Sequence, residues 1–211
     1  MEPRKFVVPE FVSGEGALNL AGQYAGNLGA NKVFLVTDPG IINSGWTKKV
    51  QMSLETAGIH YVIFSDISPN PRDTEVMAGA EKYLHEECDI IVVVGGGSPI
   101  DCAKGIGIVA NNNEHILSFE GVDQVSIPIP PLICIPTTAG SSADISQFAI
   151  ITDTLRRVKI AIISKAIVPD VALIDPVTTT TMPPEITAYS GFDAFVHAIE
   201  AFVSNANSMI T

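Results

Sequence analysis

The sequence predicts a doubly wound α/β fold with a mostly parallel sheet, and three observations predict it. Apolar strand patterns alternate with helical spacing as far as about residue 176, as in a chain that crosses over after each strand. The strands read as unbroken apolar runs, of which Ile90-Ile-Val-Val-Val94 is the clearest. A strand with no polar face suits a sheet covered by helices on both sides. After Met182-Pro183-Pro184 only helical spacing remains, so the proline pair marks a domain boundary or hinge.

In chain order, residues 6–12 give a short strand that Pro9 demotes to a sheet edge. Small residues over 15–28 predict a helix ending near Gly29, and Lys32 opens the next strand, with Asp38 at its C-terminal tip. Residues 44–57 have helical spacing and stop at Gly58; His60 to Phe64 follows as a strand. Ser68-Pro69-Asn70-Pro71 is a loop, and residues 72–86 form a helix with Asp73 as its N-cap.

The run ending at Val94 is followed by Gly95-Gly96-Gly97-Ser98-Pro99. Glycines without a Cβ let backbone amides approach a ligand, and a following helix aims its positive end at the same point. Pro99 fits a first helical position, where its missing N–H costs nothing. The stretch is either a phosphate cradle or a tight strand-to-helix turn without a ligand; three adjacent glycines exceed what a turn needs and favour the cradle.

The helix from Ile100 ends at Asn111-Asn112-Asn113, and a proline-rich loop over 127–131 leads to a strand at Leu132–Ile135. Small polar residues follow over 137–142. Two apolar runs, 147–152 and 158–163, flank a polar turn and read as a hairpin, and Val171 to Ile174 is a last strand before Asp175-Pro176. Asp38, the Gly95–Gly97 turn and the Thr137–Ser142 turn therefore all fall at strand C-termini, where such sheets bind ligands. Their convergence favours a nucleotide site over purely structural turns.

Within the helical segment from Glu185 to Ser204, Asp193 and His197 are four apart and share one face. A carboxylate beside an imidazole suits a divalent transition metal, and an intrahelical Asp–His hydrogen bond on a solvated face is the alternative that spacing alone prefers. Against that alternative, Phe192, Phe195, Val196, Ile199 and Phe202 surround the pair and make the helix too apolar to stand in water alone.

Composition narrows the function classes. The 211 residues suffice for a sizeable core in one or two domains, and no aliphatic run approaches a membrane span. A mixed N-terminal sequence without an apolar signal core predicts a cytoplasmic protein. A net charge of −11 argues against a nucleic-acid partner. Cys88, Cys102 and Cys134 are odd in number and widely spaced, which predicts reduced, packed thiols rather than disulfides or a thiolate zinc site.

Gly-Gly-Gly-Ser-x-x-Asp, Pro-Thr-Thr-Ala-Gly and Gly-x-Asp-Ala-x-x-His-Ala-Ile-Glu, in this order and spacing, resemble the iron-containing (group III) alcohol dehydrogenases over essentially the whole chain. The resemblance implies an α/β dinucleotide-binding domain over 1–181 and, over 182–211, the first helix of a truncated all-helical metal-binding domain, with the active site between them. Gly95, Gly96, Gly97 and Ser98 map to the pyrophosphate loop. Asp38 matches the acidic residue near the adenosine ribose and favours NAD over the 2′-phosphorylated cofactor. Asn70, Asp101, Thr137, Thr138, Ser141 and Lys159 fall where family members line the cofactor. Asp193 and His197 match the first two ligands of Fe²⁺, with Zn²⁺ as the alternative, and no catalytic group beyond the metal ligands is evident. The implied reaction is hydride transfer between a primary alcohol or aldehyde and NAD, in a homo-oligomer without membrane or nucleic-acid partners.

Two departures shape these expectations. Gly140-Ser141-Ser142-Ala143-Asp144 replaces the family's usual Gly-Thr-Gly-Ser-Glu. The family's two further metal histidines also have no counterpart, because His60, His85 and His115 all lie in the α/β portion; the 211 residues alone are expected to be inactive. The rival readings are a zinc-dependent polyol dehydrogenase or phosphate-eliminating synthase of related families, a non-catalytic nucleotide-binding module, and an assembly protein.

Overall fold

The computed structural model describes residues 7–205, so Phe6, the first residue of the expected N-terminal strand, lies outside them. Its elements run β1 (Glu10–Ser13), α1 (Ala21–Asn27), β2 (Lys32–Val36), α2 (Pro39–Ser44), α3 (Trp46–Thr56), β3 (His60–Phe64), α4 (Asp73–His85), β4 (Ile90–Gly95) and α5 (Gly97–Asn112). Then follow β5 (Gly121–Val122), β6 (Leu132–Pro136), β7 (Phe148–Asp153), β8 (Val158–Ile163), β9 (Val171–Ile174) and α6 (Pro184–Val203).

Six strands form one parallel sheet in the order β1-β9-β6-β4-β2-β3. The chain runs outward from β2 to β3, then passes back over β2 to start β4. The strand order therefore reverses between β2 and β4, and their C-terminal ends flank the crevice where an open α/β sheet takes a ligand. Strand periodicity sends alternate side chains to opposite faces, so Ile91 and Val93 join one core with Val76 of α4 and Ile106 of α5. Ile90, Val92 and Val94 join the other, with Ala21 and Ala25 of α1 and Val50 of α3. All six residues of β4 are buried, as expected of a central strand between two helix layers. The three cysteines are free and buried.

The structure refines the expected elements where turn chemistry outweighs apolar spacing. The helix expected over 44–57 is α3, and a short helix, α2, that sequence reading did not anticipate precedes it and is separated from it by Gly45 at φ 86°. Residues 15–28 open with a 3₁₀ turn, Ala17–Leu20, before α1. Asp73 is the first residue of α4 rather than its cap; its carboxylate accepts from the Thr154 amide at 3.2 Å, while Glu75 reaches back to the Arg72 amide at 2.9 Å. Helix α5 starts at Gly97, so Pro99 is its third residue, not its first. The hairpin β7–β8 is antiparallel as expected, and the two-residue β5 joins it to make a second sheet that sequence reading did not anticipate.

Helix α6 follows Pro183 at once and buries none of its residues. Tyr189, Phe192, Phe195, Ile199 and Phe202 are all exposed on it. Its seat against the α/β portion is close at one point: a Cβ on Gly140 would lie 2.5 Å from the Ser190 carbonyl oxygen.

Candidate functional site

A cleft of about 780 Å³ opens at the C-terminal ends of β2, β4 and β6. The Gly96–Pro99 turn forms one wall, and the loop carrying Thr137, Thr138 and Ser141 forms the facing one. Asp38 closes one side, and Ile186, Ser190 and Asp193 of α6 close another. A second depression, about 590 Å³, lies between α1 and α3 away from the strand ends; its only titratable lining group is Lys49.

None of Gly95, Gly96 and Gly97 has a positive φ, so backbone conformation does not demand glycine here. Space does. A Cβ on Gly95 would come within 2.6 Å of the Pro99 ring, which packs beneath the turn. On Gly96 it would meet Thr138 at 3.1 Å, and on Gly97 it would lie 2.9 Å from Ser141 Oγ. The two walls thus approach across a slot kept open by the missing side chains. The amides of Gly97 and Ser98 belong to the first turn of α5, where no intrahelical acceptor exists, and the helix adds its positive end. Thr137 is 2% exposed, and its Oγ1 is the one buried side-chain polar atom among the described residues with no hydrogen-bond partner. An unpaired buried hydroxyl costs about 1–3 kcal/mol, so a ligand that pairs with it recovers that cost. Slot, free amides and orphaned hydroxyl together fit a nucleotide's diphosphate and its attached ribose.

The cleft brings together Asp38, Gly96, Gly97, Ser98, Thr137, Thr138, Ser141 and Asp193. Asp38 caps α2, its Oδ1 accepting from the Ile41 amide at 3.0 Å, which leaves Oδ2 for a ligand. Other expected residues stand outside the lining. Gly95 ends β4 under the turn. Asn70, left-handed at φ 59°, sits at the rim and donates its amide to Ser98 Oγ at 3.1 Å. Lys159 is exposed on β8 opposite Thr152, whose hydroxyl donates to the Asn70 carbonyl at 3.3 Å. It therefore belongs to the outer edge of the same rim.

Asp101 turns away from the cleft toward β7. Burial pushes its carboxyl up to about 6, opposed by the Lys104 ammonium and the Ile150 amide. A folded value above the ordinary 3.8 means that its contribution to stability is complete below about pH 4 and is lost as pH rises through 6. Two pKa units correspond to about 3 kcal/mol. Asp101→Asn is therefore expected to raise the melting temperature by several degrees at pH 8 and to leave it unchanged at pH 4. Thermal melts at the two pH values check this, and a difference that does not change with pH contradicts it.

On α6, Asp193 Oδ1 and His197 Nε2 are 3.7 Å apart, with both side chains half exposed. That is too long for the intrahelical hydrogen bond which spacing alone prefers. The donors suit Fe²⁺ or Zn²⁺ in kind. They are two, and no group of three or more potential metal ligands occurs among the described residues. Asp193 faces the cleft, and His197, one turn further on, is not among the lining residues.

Sequence reading missed Thr178 and Thr181, which line the cleft floor. Thr178 Oγ1 donates to the Pro136 carbonyl at 2.8 Å, and Thr181 Oγ1 accepts from Trp46 Nε1 at 2.7 Å. The run of four threonines after Asp175-Pro176, at the end of a strand, is the signal that would have found them.

A profile of the family described as iron-containing alcohol dehydrogenase matches residues 9–176. The 1,3-propanediol dehydrogenase of Citrobacter freundii is 40% identical over 200 residues, 94% of this chain and 52% of that protein. The NAD-dependent methanol dehydrogenase of Bacillus methanolicus is 38% identical over 98% of this chain and 54% of its own length. Among solved structures, a 1,3-propanediol oxidoreductase superposes with a TM-score of 0.96 at 37% identity, covering 99% of this chain and 55% of that one. The NADH-dependent butanol dehydrogenase A of Thermotoga maritima gives 0.92 at 30% identity, over 100% of this chain and 53% of that one. The chain thus spans about half the length of the relatives it matches.

Proposed function

Since this chain belongs to the iron-containing alcohol dehydrogenases, we propose that it binds NAD across the Gly95–Ser98 turn and serves hydride transfer between a primary alcohol or aldehyde and the nicotinamide. The observation that carries the reading is the single cleft in which the glycine slot, the orphaned Thr137 hydroxyl and the Asp193 carboxylate meet.

In this reading the amides of Gly97 and Ser98 hold the diphosphate, and Thr137, Thr138 and Ser141 hydrogen-bond along it from the facing wall. Asn70, and Lys159 behind it, border the nicotinamide end, while Asp101 supports α5 from below. Asp38 accepts from the adenosine ribose hydroxyls and repels a 2′-phosphate. The chain divides near residue 181 into the nucleotide-binding part and the first helix of a metal-binding part. Asp193 and His197 supply two ligands to a divalent cation, Fe²⁺ by family and Zn²⁺ by donor chemistry. Such a cation contributes Lewis acidity that lowers the pKa of an alcohol oxygen. Bound NAD would supply the hydride acceptor, held along the glycine turn by the Gly97 and Ser98 amides and the facing Thr137–Ser141 wall.

The relatives' names, which include propanediol, methanol and lactaldehyde, support a small primary alcohol or aldehyde as the substrate class. Two donors hold a cation weakly, so the 211 residues by themselves are expected to bind NADH without turnover. The net charge of −11 supports the absence of a nucleic-acid partner. No described helix is long and apolar enough to cross a membrane. The same reading includes a cytoplasmic protein that self-associates, which the exposed aromatic residues of α6 support.

The test is a fluorescence titration with NADH and NADPH. The wild-type chain is expected to prefer NADH, and Asp38→Gly to shift the ratio toward NADPH by about tenfold, the worth of one screened charge repulsion near 1.4 kcal/mol. An unchanged ratio removes Asp38 from the cofactor site; a wild-type chain that binds neither nucleotide overturns the reading.

A further inference from the structure

Lys104 lies in the middle of α5, is 0% exposed, and touches no part of the cleft. Its Nζ donates to the Ser146 carbonyl at 2.7 Å, to the Phe148 carbonyl at 2.8 Å and, more weakly, to Ser146 Oγ at 3.4 Å. No carboxylate of the described residues lies within ion-pair distance of it; Asp101 and Asp144 act on it only from further away. Burying an ammonium on backbone carbonyls is costly, and a methionine would fill the same space without that cost. What the ammonium adds over such a methionine is its pair of bonds to the Ser146 and Phe148 carbonyls.

We propose that Lys104 is a positioning residue for the cofactor cleft, a clamp that fixes the Thr137–Ser142 wall against the glycine turn at the head of its own helix. The connection can be followed bond by bond. Lys104 anchors Ser146 through its carbonyl, and the Ser146 amide donates to the Ser142 carbonyl at 3.1 Å, as does that of Ile145. Ser142, held left-handed at φ 50°, directly follows Ser141, whose Oγ faces the Gly97 slot. One rigid helix thus carries the glycine turn at its N-terminus and, two turns on, the anchor of the opposing loop. The width of the slot is set by an internal bond rather than by the ligand, so the site is organised before the nucleotide arrives.

This assignment rests on the cofactor reading above, and its experiment separates the two. Wild type, Lys104→Met and Lys104→Gln are compared by NADH titration, thermal melts and hydrogen–deuterium exchange of residues 142–148. Met removes the donors at similar volume; Gln keeps an amide that can donate to the same carbonyls. Lys104→Met is expected to exchange faster at Ile145 and Ser146 and to bind NADH about tenfold more weakly, the worth of one charge-assisted hydrogen bond, with Lys104→Gln partly restoring both. A folded Lys104→Met with wild-type NADH affinity overturns the proposal, and so does one whose exchange at 142–148 is unchanged. Should Lys104→Met fail to fold, Lys104→Gln decides: loosened exchange with weakened binding supports the clamp, and wild-type values for either overturn it. A wild-type chain that does not bind NADH removes the cofactor reading and this role with it, while the exchange data still show whether the loop is anchored.

Discussion

Replacing Gly97 by valine is expected to weaken NADH binding by at least about a hundredfold, close to 3 kcal/mol, while the melting temperature falls by only about 2–4 °C. The reason is spatial. Glycine at this position has an ordinary negative-φ backbone, and valine in a first helical turn costs only tenths of a kcal/mol. Its Cβ, however, would sit 2.9 Å from Ser141 Oγ and 3.1 Å from Ser141 Cβ, and the two methyl groups would occupy the rest of the slot. The Ser141 wall yields little, because Ser142 is tied through Ser146 to Lys104. Part of the clash therefore strains the fold at the Ser141 loop, and the filled slot excludes whatever would enter it. A titration showing wild-type affinity in folded Gly97→Val would remove the diphosphate from this turn.

Gly22→Ala is expected to do the converse, leaving NADH affinity intact while lowering stability by about 2 kcal/mol and the melting temperature by roughly 4–8 °C. Here two helices touch through their backbones. The Gly22 amide donates to Ser53 Oγ at 2.9 Å, and that hydroxyl donates to the Asn19 carbonyl at 2.6 Å. A Cβ on Gly22 would overlap the Ser53 carbonyl oxygen, and no flexible side chain stands between to give way. Alanine gains about 1 kcal/mol of helix propensity, and displacing α1 from α3 costs more. Gly26, one turn further along α1, is the control: a Cβ there would meet only Ile59 Cδ1, at 3.9 Å. Gly26→Ala is expected to raise the melting temperature slightly, since it restricts the unfolded chain without a clash. If both substitutions act alike in thermal melts, close backbone approach is not what Gly22 provides.

Much of the fold was legible because a buried parallel strand has a strong signature. His60–Phe64 and Val171–Ile174 fall where their apolar runs begin and end, and β4 is as buried as its valines and isoleucines imply. Errors cluster where short-range turn chemistry decides: before Gly45, where the short helix α2 capped by Asp38 went unread, and at Pro99, which sits two residues deeper in α5 than its missing N–H suggests. The glycine turn was legible as a site, but for an incomplete reason. Its glycines face Pro99, Thr138 and Ser141, and a contact across two loops leaves no trace in local spacing.

The sequence alone determined the layer architecture, the strand ends that carry polar turns, and the identity of the groups offered there, because these follow from periodicity and side-chain chemistry within single elements. Tertiary structure decided which of those groups share a cleft. It drew Asp38, Thr137 and Asp193 together, turned Asp101 away from them, and buried Lys104 on the carbonyls of Ser146 and Phe148. Such distinctions depend on strand order and on contacts between residues about 40 or more positions apart, and a chain encodes those only through the packing of all its elements at once.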